Sequence, residues 1–427
     1  MDRSLIAGLL FAALAAFSAF PSPADTTDDK KITFFGCMHY SAGEMESGTY
    51  QGQELTHVWL QRLVGDITLK ARPAERLTLY LGAEVDLDFS ISEMYQYMET
   101  LIRYVNIYPF HFEGVVSILD KPDANLEFGI GSFPYKYDND SRDLGEYLFR
   151  SSCYPPNLIT AFDFSEAWLL GARIHNTLFN NITQDLMLIT ETNYPPVNDY
   201  SLAYIASGKI GSVLELGAGV DFHHLFSVDE SKTTPQLTNN MYVDSSISTT
   251  HPDTGYYTFR GIKLMGRLSF DPKGLFSADF FGKEDLRLYS EIAMLGLKDY
   301  PGYYTNLSQR TPIMIGFNFP CFKVLDVLAV EVEYYSNPYE NSFANQFPAS
   351  AQAQLPMPIP TGGPTHNDDN WKWAVYATKT FFQNCSLIFQ VADDHMRSRE
   401  ANPNVADMDE SLHHGDWYYM GKIKFTF

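Results

Sequence analysis

The stretch "RLTLYLGAEVDLDF", residues 76–89, alternates apolar and polar side chains almost without a break. Leu77, Leu79, Leu81, Ala83, Val85, Leu87 and Phe89 share one face of an extended chain, and Thr78, Tyr80, Glu84, Asp86 and Asp88 share the other. Successive side chains of a strand point to opposite faces, so period two over about 13 residues marks a strand with one apolar side. Strands in soluble sandwiches average about 5–6 residues, whereas a tilted strand needs about 9–11 to cross a bilayer.

The same pattern recurs outward in both directions. "LVGDITLK" precedes the stretch across "ARPAE", and "HFEGVVSIL" and "NLEFGIGSF" flank "DKPDA". "AWLLGARIHN" pairs with "ITQDLMLITETN", "YSLAYIASGKI" with "LELGAGVDFHHLF", and "GIKLMGRLSF" with "LRLYSEIAMLGL". "PIMIGFNF" and "VLAVEVEYY" follow, then "WKWAVYATKTF" and "SLIFQVADD". With an initial "ITFFGCMHYS" and a final "WYYMGKIKFTF" the count is sixteen. Short turns follow the even-numbered segments, with a longer one after the tenth. Long, polar or Pro-rich connections follow most odd-numbered segments, the first included; "YPPVND" after the seventh is short. The largest are 134–165, 227–256 and 336–370.

Composition agrees. Aromatic residues make up 15% of the chain and charged residues 19%. Apart from the N-terminus there is no run of about 18 apolar residues, so no helix is expected to span a membrane. In lipid, backbone N–H and C=O groups find no water, which excludes an open sheet edge. The expected fold is therefore all-β: a transmembrane antiparallel β-barrel of sixteen strands, closed by pairing the last with the first. Fourteen or eighteen strands remain alternatives, because 227–256 could hide a hairpin. Sixteen strands leave room for an aqueous channel.

The N-terminus, "MDRSLIAGLLFAALAAFSAFPSPADTT", has a charged start and an apolar run. Ser22 and Ala24 stand at the −3 and −1 positions of a cleavage site before Asp25. That is the grammar of a secretory signal peptide, so 1–24 is expected to be removed and 25–427 to form one barrel domain. A net charge of −22 argues against a nucleic-acid partner.

On these features the chain resembles bacterial outer-membrane porins. The carriers are the signal peptide, the sixteen segments and the terminal "GKIKFTF". The resemblance implies an outer-membrane location with both termini periplasmic, lipid as surroundings, and possible homo-oligomers such as trimers. It also implies an assembly signal read by the barrel-assembly machinery, at Tyr419, Gly421, Ile423, Phe425 and Phe427. In sixteen-stranded porins the loop after the fifth strand folds into the lumen. The matching segment here is 133–164, carrying Lys136, Asp138, Asp140, Arg142, Asp143, Glu146 and Arg150. It lacks the family's usual Pro-Glu-Phe-Gly-Gly stretch, so an ordinary outer loop is the competing expectation.

Charges on a lipid-facing strand position cost about 2–4 kcal/mol at midplane for Arg or Lys. The polar faces should therefore line the lumen. That places Glu84, Asp86, Asp88, Glu113, Glu127, Glu215, Asp221, Glu291, Glu331 and Glu333 inside, with Arg173, Lys209, Lys263, Arg267, Arg287, Lys422 and Lys424. Two readings fit these charges: a transverse field that selects solutes, or pairs that merely stabilise the wall. The function expected is passive diffusion of small hydrophilic solutes or ions, with cation preference from an acidic lumen. A non-conducting barrel acting in adhesion, substrate capture or envelope anchoring is the alternative.

Other chemistry finds little support. His39, His111, His175 and His223 lie on the lumen face without ligand spacing, and the adjacent pairs His223-His224 and His413-His414 point to opposite faces. No metal, cofactor or nucleophile elbow is assigned, and no enzyme is expected. Four cysteines offer two candidate bridges, Cys37–Cys153 and Cys321–Cys385, with free thiols as the alternative. Met94, Met98, Leu101, Ile102 and Val105 at helical spacing predict a short helix within 90–110.

Overall fold

The polar face of "RLTLYLGAEVDLDF" is the more buried and the apolar face the more exposed. Leu81 is 51% exposed and Asp86 1%. The inversion holds round the molecule, as required of a sheet whose outer face meets lipid and whose inner face is polar. In a computed structural model of the chain, the described residues are 32–427 without 51–52, 89–103, 151–157, 159, 161–165, 191–197, 227, 229–235, 238–255, 258–260, 277–278, 298–305, 338–368 and 400–405. The expected signal peptide lies outside them.

The barrel strands are β1 (Ile32–Tyr50), β2 (Gln53–Ala74), β3 (Leu77–Asp88), β4 (Tyr104–Lys121), β5 (Ala124–Tyr135), β6 (Ala167–Leu178), β7 (Ile182–Thr190) and β8 (Tyr200–Ile210). They continue as β9 (Leu214–Phe226), β10 (Gly261–Phe270), β11 (Leu288–Met294), β12 (Ile313–Asn318), β13 (Val327–Tyr334), β14 (Trp371–Phe381), β15 (Cys385–Asp393) and β16 (Trp417–Thr426). Each pairs antiparallel with its neighbours in sequence, and the sheet closes on itself. The expected all-β barrel of sixteen strands is the observed one. No helix among the described residues is long and apolar enough to cross a membrane; this chain crosses with strands.

Closure runs from Cys37↔Thr426 to Ser47↔Trp417. Beyond that ladder, Gly36 and Phe427 exchange two backbone hydrogen bonds of 3.1 Å. The last residue is thus tied into the seam. Ile423 is exposed, while Tyr418 and Met420 are buried inside. The short turns sit at one rim. Phe179 and Asn180 between β6 and β7 both have positive φ, 52° and 55°, as do Phe382 and Gln383 between β14 and β15, 52° and 65°. That conformation matches the right-handed twist of the strands it joins.

Two expectations change. The expected long connection after the first strand is instead strand: β1 and β2 pair up to Tyr50↔Gln53, because 42–62 keeps enough alternation to extend the hairpin beyond its neighbours. The helix expected within 90–110 fails at its end, since 104–110 begins β4 and pairs with β3. The remainder of that segment lies outside the described residues. For the suspected hairpin in 227–256, the described residues form a two-residue ribbon, Gln236–Leu237 with Tyr256–Tyr257, that is not part of the barrel sheet; apart from Val228, the rest of the segment lies outside the described residues.

The core sits inside the barrel, in two clusters. One packs the loop after β5 against inner faces of β5–β8 and β10–β12, through Leu144, Tyr147, Leu148, Met187, Met265 and Met314. The other packs Met396 and Leu412, from the segment after β15, against Met45, Val58, Tyr418 and Met420 at the seam.

The seam allows little beside its backbone. A Cβ added at Gly43 would lie 2.0 Å from the Tyr419 carbonyl oxygen, whereas one at Gly65 would meet nothing within 4 Å. Forced overpacking costs about 1–3 kcal/mol. Gly43→Val should reduce the yield of barrel that resists unfolding in unheated SDS gels, and Gly65→Val should leave it unchanged. Equal yields would show that the seam tolerates the side chain.

Candidate functional site

A chain segment folded into a barrel leaves wall pairing behind, and its amides need new acceptors. The loop after β5 finds them in two wall carboxylates. Glu331 on β13 accepts from the Arg142 amide at 2.5 Å and from the Asp143 and Leu144 amides at 2.8 Å each. Glu291 on β11 accepts from the Glu146 amide at 2.7 Å and the Tyr147 amide at 2.9 Å. Tyrosine hydroxyls complete the shells. Tyr137 donates to Glu291, Tyr289 to Glu331 and Tyr147 to Glu333, each at 2.7 Å.

The loop's own residues make this docking geometry. Gly145 has φ 89° and Glu146 φ 59°, a left-handed reversal suited to glycine at the first position. A Cβ on Gly145 would meet the Met314 Cε at 2.7 Å. The reversal leads into one helical turn, Tyr147–Arg150. Glu146 folds back to accept from the Tyr137 and Asp138 amides at 2.8 Å. Lys136 donates to the Ser141 carbonyl at 3.0 Å. Burial is the largest influence on these groups: it pushes Glu146 and Asp138 up and pulls Lys136 down, against opposing charges nearby.

The loop's charges are paired with the wall. Asp138 faces Arg267 at 3.6 Å, Asp140 faces Arg287 at 2.5 Å, and Arg142 faces Glu284 at 3.4 Å. Arg267 also binds Glu215. Of the two placements open to 133–164, its described part takes the inward one. Its acidic residues are mostly sealed against the β10–β13 sector rather than presented to water.

A second stretch, residues 394–399 and 406–416, also turns inward. His395 bridges Glu333 at 2.7 Å and Glu410 at 3.0 Å. Lys372 on β14 holds Asp369, Asp393 and Glu410 at 3.0, 3.1 and 3.2 Å. Burial alone would lower the His395 pKa, but Glu333 and Glu410 outweigh it and push it up to about 10. Glu410 moves the other way: burial opposes its ionisation, yet Lys372 and His395 hold it below the usual carboxylate range. The two inward segments touch. The Arg397 guanidinium donates to the Leu158 carbonyl at 3.3 Å.

In the opposite sector some charged groups keep contact with solvent, while Asp86, Glu113, Asp185 and Asp221 are buried. Glu84 and Glu127 are half-buried on β3 and β5. The Arg173 side chain is 23% exposed, lies 2.7 Å from Glu113, and stacks over the Phe133 ring at 4.7 Å. The Glu215 side chain is 25% exposed and Lys209 61%. Asp86 pairs with Arg62 at 2.6 Å, and Asp221 with His223 at 3.2 Å. Lys263 is fully buried on the inner face of β10. Asp88 ends β3, and its side chain is outside the described set.

The histidines are partnered by carboxylates. His111 meets Glu113 at 3.3 Å, His175 meets Asp185 at 2.8 Å, and His224 meets Asp199 at 3.3 Å. Among the described residues, the one grouping with ligand atoms close enough for a metal is Glu44, Glu46 and His57, at the far end of the β1–β2 hairpin. Cys321 and Cys385 are free thiols, which corrects the second candidate bridge. Two strand spacings of about 4.8 Å separate β13, next to Cys321, from Cys385 at the start of β15, beyond the reach of a disulfide. Cys37 donates its thiol to Asp66 at 2.7 Å; Cys153, its expected partner, is outside the described residues.

Several site residues escaped sequence reading: Arg62, Tyr137, Tyr147, Tyr289, Lys372, Asp394, His395, Arg397 and Glu410. The charge density of "VADDHMRSRE" right after a strand was the available signal for the second segment. Tyrosines carry no such signal, because they suit girdle, wall and loop alike.

No family model matches the chain, and no curated protein matches it. Among solved structures it is similar to a triple mutant of Rhodopseudomonas blastica porin, at 8% identity and TM-score 0.43, covering 93% of this chain and 100% of that one. It is similar also to OmpF of Salmonella typhi in complex with daunomycin, at 10% identity and TM-score 0.46, covering 94% and 99%. At such values the likeness carries no weight for function.

Glu331→Gln places an NH2 group where three amides need an acceptor. Hydrogen bonds to charged groups contribute about 1.5–3 kcal/mol. Trypsin should then cut the loop at Lys136, Arg142 or Arg150 at least several-fold faster than in the wild type, while the barrel stays SDS-resistant. Unchanged cleavage would mean the carboxylate is dispensable for docking.

Proposed function

We propose that this protein is a porin-like outer-membrane channel for passive diffusion of small hydrophilic solutes or ions. The observation that supports it most is the one-sided docking of the inward loop. The loop is sealed to β10–β13, while Glu84, Glu127 and Arg173 on the other sector keep solvent-exposed surface. Such a loop narrows the lumen and leaves a charged, wet wall for a solute to pass.

In this reading the short-turn rim is periplasmic, the segment 1–24 is the export signal, and Phe427 with Phe425, Ile423 and Tyr419 is what the assembly machinery reads. Cation preference belongs to the wet wall glutamates. The loop aspartates are neutralised by Arg267 and Arg287, so they contribute little field to passing ions. No catalytic role is assigned to any residue. Homo-oligomerisation, as trimers, fits the porin-like reading.

A second reading is a barrel occluded by its two inward segments, with function carried by the outer loops. It is favoured by their contact through Arg397 and Leu158.

Recording from purified protein in planar bilayers separates the two. The channel reading expects discrete conductance steps and a reversal potential displaced toward the cation Nernst value under a salt gradient. Replacing Glu84 and Glu127 together by Gln should shrink that displacement, most clearly at low salt, where screening is weakest. A closed barrel with no conductance would leave only the second reading.

A further inference from the structure

The outward face of the β1–β2 hairpin carries three groups that a diffusion channel does not use. Glu44 and Glu46 on β1 and His57 on β2 bring one ligand atom each to within 4.8 Å of the others. Alternation fixes the side on which they stand. Met45, between the glutamates, and Val58, next to His57, are buried in the cluster inside the barrel, so their neighbours point outward. Tyr419 likewise lies between the buried Tyr418 and Met420 of β16, and its hydroxyl donates to Glu44 Oε2 at 2.8 Å. The group therefore spans β2, β1 and β16, across the line where the barrel closes. Trp59 pairs in register with Glu44 and Trp417 with Ser47, and they are 43% and 37% exposed. Such aromatics gather at the membrane–water boundary, where charge on the outer face costs least.

The hairpin backbone is shaped around these groups. Glu46 is the extra residue where the pairing of β1 with β16 shifts register between Met45 and Ser47. His57 stands opposite Glu46, between the pairs Met45↔Val58 and Ser47↔Thr56, and has φ 56°. Left-handed residues other than glycine are uncommon, and bulges re-aim side chains. The outcome is that His57 Nδ1 lies 3.0 Å from Glu44 Oε1 and 3.3 Å from Glu46 Oε2. Ligand atoms about 2.0–2.2 Å from a shared zinc ion stand roughly 3–3.5 Å apart when they meet it at right or tetrahedral angles. Both separations fall in that range.

A proton on Nδ1 answers only part of this charge, since one imidazolium cannot neutralise two carboxylates. Among the described residues, no Lys or Arg pairs with either glutamate. A divalent cation balances both carboxylates and takes the Nδ1 lone pair. We propose that Glu44, Glu46 and His57 hold one divalent transition-metal ion of the zinc class, and that Tyr419 is a positioning residue that holds Glu44 for it. An imidazole among carboxylates suits zinc better than magnesium or calcium, whose ligands are oxygens. The side chains of His57, Glu44 and Glu46 are 71%, 24% and 26% exposed, which gives the ion a path and leaves room for water as a further ligand. The site is outside the lumen and stands whether or not the barrel conducts. Its consequence is mechanical: the ion ties the hairpin to the closing strand through Glu44 and Tyr419, and a ligand of the folded state alone stabilises it.

The test uses the full-length folded protein in detergent, stripped with EDTA and titrated with Zn2+ by calorimetry. The wild type should take up one zinc ion that His57→Ala and Glu46→Gln lose. Tyr419→Phe should bind it about 10–100-fold more weakly, while its metal-free barrel resists SDS as the wild type does. Zinc should raise the temperature at which the wild-type barrel loses SDS resistance, and should not do so for His57→Ala. Excess Ca2+ should not displace the ion. Should His57→Ala fail to fold, Glu46→Gln carries the comparison. No uptake by the wild type, or equal uptake by the ligand variants, would overturn the site. Unchanged affinity in Tyr419→Phe would overturn the positioning role, zinc bound without stabilisation would overturn the clamp, and displacement by Ca2+ would overturn the metal class.

Discussion

Every buried backbone N–H and C=O needs a partner, and in this protein that demand acts twice. Lipid surrounds the outer face, so sheet edges cannot be left open. The pairing of β1 with β16, extended to Phe427, is the consequence. The demand returns inside the barrel, where a loop that leaves the wall brings its own unpaired amides. Glu291 and Glu331 meet it, each accepting from several loop donors at once. Carboxylates suit this task because each oxygen accepts more than one hydrogen bond, and the charged acceptor strengthens each of them.

Once the loop is docked, electrostatics decides what remains available to a solute. The acidic residues of 133–164 look from the sequence like a selectivity element. In the structure Asp138 and Asp140 are neutralised by Arg267 and Arg287, and the field they would project is largely cancelled. On β3–β9 Glu84, Glu127 and Arg173 keep solvent contact, while Asp86, Glu113, Asp185 and Asp221 are buried and paired. Thus pairing describes the lumen charges of β10–β15 and several of those on β3–β9, and Glu84 and Glu127 are among the wall acids that keep solvent contact.

Strand identity was legible almost residue by residue, because two-sided surroundings impose period two on every strand. "GIKLMGRLSF" and "WKWAVYATKTF" are strands with the ends read from sequence. The misreadings have physical causes. Residues 42–62 alternate less regularly than the other segments, and only the pairing of β1 with β2 shows them to be strand. Residues 104–110 carry apolar spacing that also fits a helix, and only pairing with β3 selects the strand. The inward placement of 133–164 could be expected from order and length, but its docking partners could not. Glu291 and Glu331 look in the sequence like any other lumen-facing acid, and the segment after β15 carried only a local density of charge.

By itself the sequence determined that there is a barrel, the face each strand turns outward, and the need to close. These follow from contrast between adjacent side chains, which is local and periodic; the structure selected sixteen strands over fourteen or eighteen. Tertiary structure alone decided which lumen charges are sealed and which stay wet. It also decided that Arg397 meets Leu158 across 239 positions of chain. Contacts of that kind depend on how two non-repeating segments pack inside a closed wall, and no period in the sequence encodes that.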